Sequence, residues 1–180
     1  PSEISWMMST LAKGRRGRPR VPNLAATRQE QILRAATRMF ARVGYQCADL
    51  QDVADDLGVG KGTLYRYFPT KEAMFTAAAD RVMVRMRGTI DAAVAGVEDE
   101  LEVIRAAVRA YLSYFDRNPE FVELLIQERA EFRDRKRSTY FAHREANMGA
   151  WRAFYARLIA AGKMRDIPVD RITEVMSNAI

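Results

Sequence analysis

The chain has 180 residues, of which 48% are apolar and 29% charged, too apolar for a disordered chain and ordinary for a globular one. One cysteine, Cys47, excludes an internal disulfide and a cysteine-cluster metal site, and no apolar run reaches the roughly 18 residues that span a membrane. Residues 1–75 carry 12 basic and 7 acidic side chains, and residues 76–180 carry 17 and 16, so the positive excess sits in the first two-fifths. That asymmetry points to an anionic partner for the N-terminal part, nucleic acid ahead of an acidic membrane surface.

Residues 1–26 read as a flexible basic arm rich in Ser, Gly and Pro. Met7 and Met8 are both candidate starts. Within the arm, Lys13 to Arg20 places five positive charges in eight residues. From Thr27 the pattern turns helical. Thr27 and Glu30 have the spacing of a capping box, which predicts a helix capped by Thr27. Ile32, Leu33, Ala36, Met39, Phe40 and Val43 make one apolar face, and Gly44 stops it.

A second short helix is expected over residues 49–57, capped by Asp49, with Leu50, Val53, Ala54 and Leu57 buried. Gly58 breaks it. A third reads Lys61 to Tyr67 and ends before Pro69. Thr70 then caps a fourth helix running past Met86. Helices follow over 100–117, from Asn118-Pro119 through Phe132, and over 138–161. Gly162 to Pro168 is a loop. A last helix begins near Asp170 and is unfinished at Ile180, so the natural protein is expected to continue. No segment alternates with period two, which predicts an all-α fold.

Residues 49–68 have the layout of a helix-turn-helix. Ala54 is small where the two helices cross, Val59 plugs the turn, and Leu64 is the buried residue of the second helix. That second helix is the one that enters the major groove, where base edges present a distinct donor and acceptor pattern. Its polar residues are Lys61, Thr63, Tyr65, Arg66 and Tyr67, and Gly62 leaves room for close approach.

The run from Gly58 to Glu72, GVGKGTLYRYFPTKE, closely resembles the DNA-binding signature of TetR-type transcriptional regulators. Phe40, Gly44-Tyr45 and Val53-Ala54 fit the same signature, and the sharp match covers residues 28–75. The resemblance implies that Lys61, Gly62, Thr63 and Tyr65 touch bases and backbone in the groove. It implies phosphate contacts for Tyr67 and Lys71; Lys71 also stands in a helical first turn, where free N–H groups favour anions. Gln51 lies on the exposed side of the second helix, within reach of DNA. Two positions depart from the family pattern. Gly60 replaces a frequent Ser, removing a side-chain cap, and Ala48 replaces a frequent Thr or Ser, removing a phosphate contact.

In the arm, Arg16-Gly17-Arg18-Pro19 resembles the core of an AT-hook, which lays arginines in a narrow minor groove. A solvated tail is the rival reading of Arg16 and Arg18. The C-terminal aromatics are read first as core. The resemblance adds a ligand pocket between helices, for which Tyr111, Phe115, Glu128, Trp151 and Tyr155 are the candidates; the rival reading of Glu128 is an ion-paired or exposed carboxylate. Arg133, Arg135, Lys136 and Arg137 read as a solvated charge run, and Cys47 as a small buried residue. His143 and Glu145, two apart on a helix, face different ways and make no metal site.

No phosphate loop, G-x-S-x-G or H-E-x-x-H motif is present, so an enzyme is not expected. The expectation is a cytoplasmic, all-helical regulator with three parts: an arm over 1–26, a three-helix DNA-binding domain over 27–75, and a ligand-binding and dimerisation domain over 76–180. It binds double-stranded DNA as a homodimer at a near-palindromic operator, acts as a repressor, and responds to an unknown small-molecule effector without cofactor, metal or membrane. Two alternatives stay open: an activator or architectural binder dominated by the arm, and a helical small-molecule-binding protein without DNA function.

Overall fold

The computed structural model describes residues 24–135 and 137–172. Among them are seven helices and no strand: α1 (Leu24–Cys47), α2 (Leu50–Asp56), α3 (Lys61–Tyr67), α4 (Lys71–Val94), α5 (Glu100–Arg117), α6 (Pro119–Glu131) and α7 (Thr139–Ala160). Residues 169–172 begin a further helical stretch. The rest of the expected last helix, Arg16, Arg18 and Lys136 lie outside the described residues.

The start of α1 differs from expectation. The helix begins at Leu24, so Thr27 lies inside it and caps nothing. Leu and Ala cost almost nothing in a helix, and Leu24, Ala25 and Ala26 extend it past the Thr. Glu30 is thereby free to bridge helices, pairing with Arg81 of α4 and, at 3.7 Å, with Arg85. The Arg81 hydrogen bond, more than any other influence, holds the Glu30 carboxyl below its usual range. Gly44 breaks α1 as expected, at φ 80° and ψ 161°, a conformation open to glycine. The chain resumes one helical turn to Cys47, which is exposed rather than buried.

The caps of the next elements follow the sequence. Asp49 accepts from the Gln51 N–H at 2.8 Å, and Thr70 Oγ1 accepts from the Ala73 N–H at 2.9 Å. Gly60 caps α3 with no side-chain bond. Gly58, at φ +62°, makes the turn between α2 and α3, and the Val59 N–H closes it on the Ala54 carbonyl at 2.9 Å.

Two clusters of buried side chains hold the helices. The first joins Ile32, Ala36, Met39 and Phe40 of α1, Leu50, Val53 and Ala54 of α2, Leu64 of α3, Met74, Phe75, Ala78 and Ala79 of α4, and Leu124 of α6. Phe132, just past α6, packs against it rather than into the C-terminal helices. Its ring lies 4.9 Å from Tyr45 and 5.5 Å from Phe75, and Phe75 meets Phe40 edge-on at 5.0 Å. The second cluster is Val82, Met83 and Met86 of α4 with Tyr114 and Phe121. One helix, α4, therefore contributes to both.

Candidate DNA interface and effector cavity

The recognition surface rests on a single anchor. Leu64 is fully buried, and with α3 only seven residues long its burial fixes which face turns outward. Opposite it, Gly62, Tyr65 and Arg66 are exposed, Tyr65 to 44%, while Lys61 and Thr63 are half-buried. Tyr67 turns the other way and packs partly against the first cluster. An exposed Tyr beside an exposed Arg on a short helix offers one planar ring and one planar cation, and the pair suits stacking and hydrogen bonding at base edges.

Three of the polar residues are held by neighbours. Lys61 Nζ lies 2.7 Å from Asp49 Oδ1. Lys71 Nζ donates to the Gln46 carbonyl at 3.0 Å and sits 4.9 Å above the Tyr45 ring, tying the start of α4 to the end of α1. Gln51 Nε2 donates to Asp55 Oδ1 at 2.7 Å. The Gln51 N–H and then Lys61 hold the Asp49 carboxyl below its ordinary range, and Asp49 in turn raises Lys61. The capping role of Asp49 is visible in the sequence. Its grip on Lys61 is not, because the eleven residues between them close only through the Gly58 turn.

The second feature is a cavity of about 160 Å³ between α4, α5 and α7. Tyr111, Trp151 and Tyr155 line it, as do Met83, Met86 and Arg87 of α4 and Tyr140, Arg144 and Asn147 of α7. Burial raises the Tyr111 and Tyr155 hydroxyls above their usual range, so both stay protonated. Phe115 and Glu128 do not line this cavity. Phe115 meets Tyr111 edge-on and Phe121 at a tilt, at 4.9 and 5.0 Å between ring centres, and packs against the second cluster. Glu128 is 1% exposed and spent on structure: its Oε1 accepts from the Thr139 N–H at 2.9 Å, Thr139 Oγ1 at 2.6 Å and Arg135 Nη1 at 3.3 Å.

Arg135 is accordingly not part of a solvated run; it bridges Glu128 and Glu72, the latter at 2.7 Å. His143 pairs with Asp80 at 2.6 Å. Among the described residues no group of three or more His, Cys, Asp or Glu could hold a metal ion, and no helix is long and apolar enough to cross a membrane. The sequence reading missed Arg87, Tyr140, Arg144 and Asn147. The available signal was an Arg on each of two helices, interrupting otherwise apolar faces.

Residues 32–78 match the family model described as bacterial regulatory proteins, tetR family. The chain is similar to the HTH-type transcriptional activator FasR of Mycolicibacterium smegmatis, 28% identical over 100 residues that make up 56% of this chain and 46% of that protein. It is also similar to the HTH-type transcriptional repressor KstR2 of the same organism, 38% identical over 56 residues, 31% of this chain and 27% of the other. The chain spans about half or less of the length of these curated relatives. Among solved structures, the TetR family transcriptional regulator PfmR from Thermus thermophilus superposes with a TM-score of 0.64 at 26% identity, over 80% of this chain and 79% of that one. Residues 32–78 are thus similar to the helix-turn-helix of the tetR family of bacterial regulatory proteins, and most of the described helices share the fold of a solved member of that family.

Proposed function

We propose that the protein is a ligand-responsive transcriptional repressor of the cytoplasm that binds a near-palindromic operator as a homodimer. The observation that carries the DNA-binding part is the outward face of α3. Tyr65, Arg66 and Gly62 stand exposed on a helix whose rotation is fixed by buried Leu64. Lys61 stands at the start of that helix. Two such helices, one per subunit, read successive major grooves when they stand roughly 34–36 Å apart.

The response to ligand follows from α4. Its first turns pack against α1 and α6 in the first cluster, while Met83, Met86 and Arg87 farther along line the cavity. A ligand that fits one setting of α4 better than another shifts the population toward that setting. Because binding is linked, operator DNA weakens that ligand by the same factor that the ligand weakens DNA. Relatives named as activator and as repressor both occur; a ligand that weakens operator binding makes this protein a repressor that the ligand relieves.

Selection of bound duplexes from a random pool, at about 150 mM salt, tests the reading. A recovered near-palindrome supports a dimeric, sequence-reading regulator. Merely A·T-rich products favour binding dominated by the basic arm. No enrichment favours a helical ligand-binding protein without DNA function.

A further inference from the structure

The cavity between α4, α5 and α7 has an uneven charge. Its walls are largely apolar: Met83, Met86 and Ile90 from α4, Ile104 and Val108 from α5, Trp151 from α7. Two arginines, Arg87 and Arg144, break that lining, and no Asp or Glu belongs to it. The two arginines are not equivalent. Arg87 is neutralised where it stands, with its Nε 2.7 and 2.8 Å from the two carboxylate oxygens of Asp91 and a further bond to Asn147. Arg144 has no carboxylate partner among the described residues, and the Phe141 ring lies 6.0 Å from its guanidinium. A neighbouring groove that shares Arg144 and Met148 with the cavity has three acidic residues in its lining, each engaged elsewhere: Glu128 with Thr139 and Arg135, Glu145 with Arg137, and Asp170 with Arg152.

An arginine beside an apolar cavity without a counter-ion carries a desolvation cost that an anionic ligand removes. The planar guanidinium suits a carboxylate, which it can hold through two parallel N–H bonds. The hydroxyls of Tyr111 and Tyr140 stand 3.2 Å apart on the same lining, as further polar groups beside the head. The rings of Tyr111, Tyr140, Trp151 and Tyr155 also have the makings of a cage for a quaternary ammonium. That occupant is disfavoured by charge, since it would sit beside an arginine with no carboxylate in the wall. Size limits the body of the ligand. At about 160 Å³ the cavity is close to the 150 Å³ void that takes one benzene in an apolar core, so it suits one ring or a short chain.

We propose that the effector is a small monocarboxylic acid with an apolar body of one ring or a short chain, its carboxylate held by Arg144 and its body lodged between Met83, Met86, Ile104 and Trp151. This rests on the reading of the cavity as the effector site, and it adds the ligand class and the residue that selects it.

The test uses three probes with one body and three heads: 3-phenylpropionate, 3-phenyl-1-propanol and (3-phenylpropyl)trimethylammonium. Each is titrated calorimetrically into the full chain. The acid is expected to bind one per chain and about tenfold or more tighter than the alcohol, in line with a hydrogen bond to a charged group. The ammonium is expected to bind more weakly than either. Arg144→Gln should remove the preference for the acid, bringing its affinity to that of the alcohol, and unchanged thermal unfolding of the variant shows that the fold is intact. Arg144→Lys, which keeps the charge and loses the fork, should keep part of the preference. Equal binding of acid and alcohol, tighter binding of the ammonium, a preference that survives Arg144→Gln, or no binding of the acid at millimolar concentration would each overturn the proposal. A separate arm measures operator affinity with and without the acid. Acid binding through Arg144 without any effect on DNA leaves the ligand class standing and removes the effector reading of the site. Failure of the acid to bind leaves DNA recognition to be decided by duplex selection alone.

Discussion

Asp49 uses one carboxylate for two tasks: it caps α2 and it holds Lys61 at the head of the recognition helix. Both partners hold its proton affinity down, so the contribution is complete above the ordinary carboxylate range and is lost as pH falls through the lowered value. A phosphate bound at Lys61 would have to compete with the Asp49 carboxylate for that lysine. Asp49→Asn keeps a good capping side chain and releases the lysine. DNA affinity at fixed salt should rise, and the slope of log affinity against log salt should steepen by about 0.9, the value for one added phosphate contact. Fluorescence anisotropy across a salt series measures both; weaker binding would mean that Lys61 needs Asp49 to aim it. Tyr65 is the complementary case. It is exposed and belongs to neither buried cluster, so Tyr65→Ala should leave thermal unfolding unchanged. It should cost about 1–3 kcal/mol at the selected operator, the usual worth of one base contact. Undiminished operator affinity would take Tyr65 out of the interface.

The helix caps show how far local chemistry carries at the scale of elements. Asp49 and Thr70 announce α2 and α4 because a cap needs only its own next three residues. Thr27 announces a start that the preceding Leu24, Ala25 and Ala26 overrun, since helix propensity there exceeds the gain from one cap. The short loop from α6 to α7 was illegible for a different reason. Its arginines look like solvent-facing charge in sequence, yet Arg135 reaches Glu72 and Thr76 on α4, 63 and 59 residues away, and lies 4.2 Å over Phe132. It also supplies the charge that faces buried Glu128. Removing one member of such a pair strands the other. Arg135→Ala should destabilise the chain by about 3 kcal/mol, toward the lower end for a buried pair because Arg135 is itself partly solvated. Adding Glu128→Leu to that variant should recover most of the loss, since an apolar side chain of similar size leaves no charge to satisfy. Urea unfolding of the single and double variants decides it, and a double variant no more stable than the single would show that Thr139, not Arg135, is the partner that matters to Glu128.

For the whole molecule, the question is which helices the DNA-binding core needs. The sequence pattern shows that α6 has an apolar face, but not which core that face joins, because periodicity fixes a direction on the helix and not a neighbour in space. The structure gives Leu124, fully buried, to the cluster formed by α1 through α4, and sets Phe132 against Tyr45 and Phe75 in the same place. Gln127 adds a hydrogen bond from α6 to the Phe40 carbonyl at 3.0 Å. The helix-turn-helix therefore leans on an element well beyond it in the chain, and a disturbance of α6 reaches α3 through packing rather than through a linker. Leu124→Ala tests this directly. A large-to-small change at a closed site costs about 2–5 kcal/mol. If α6 is structural for the first cluster, the loss should appear as faster amide exchange in α1 and the first half of α4, and operator affinity should fall. Val82→Ala, in the second cluster of the same α4, is the matched control and should instead loosen α5. Exchange that quickens only in α5 to α7 for Leu124→Ala would mean that the DNA-binding helices hold together without α6. An effector in the cavity would then have to act on them through α4 alone.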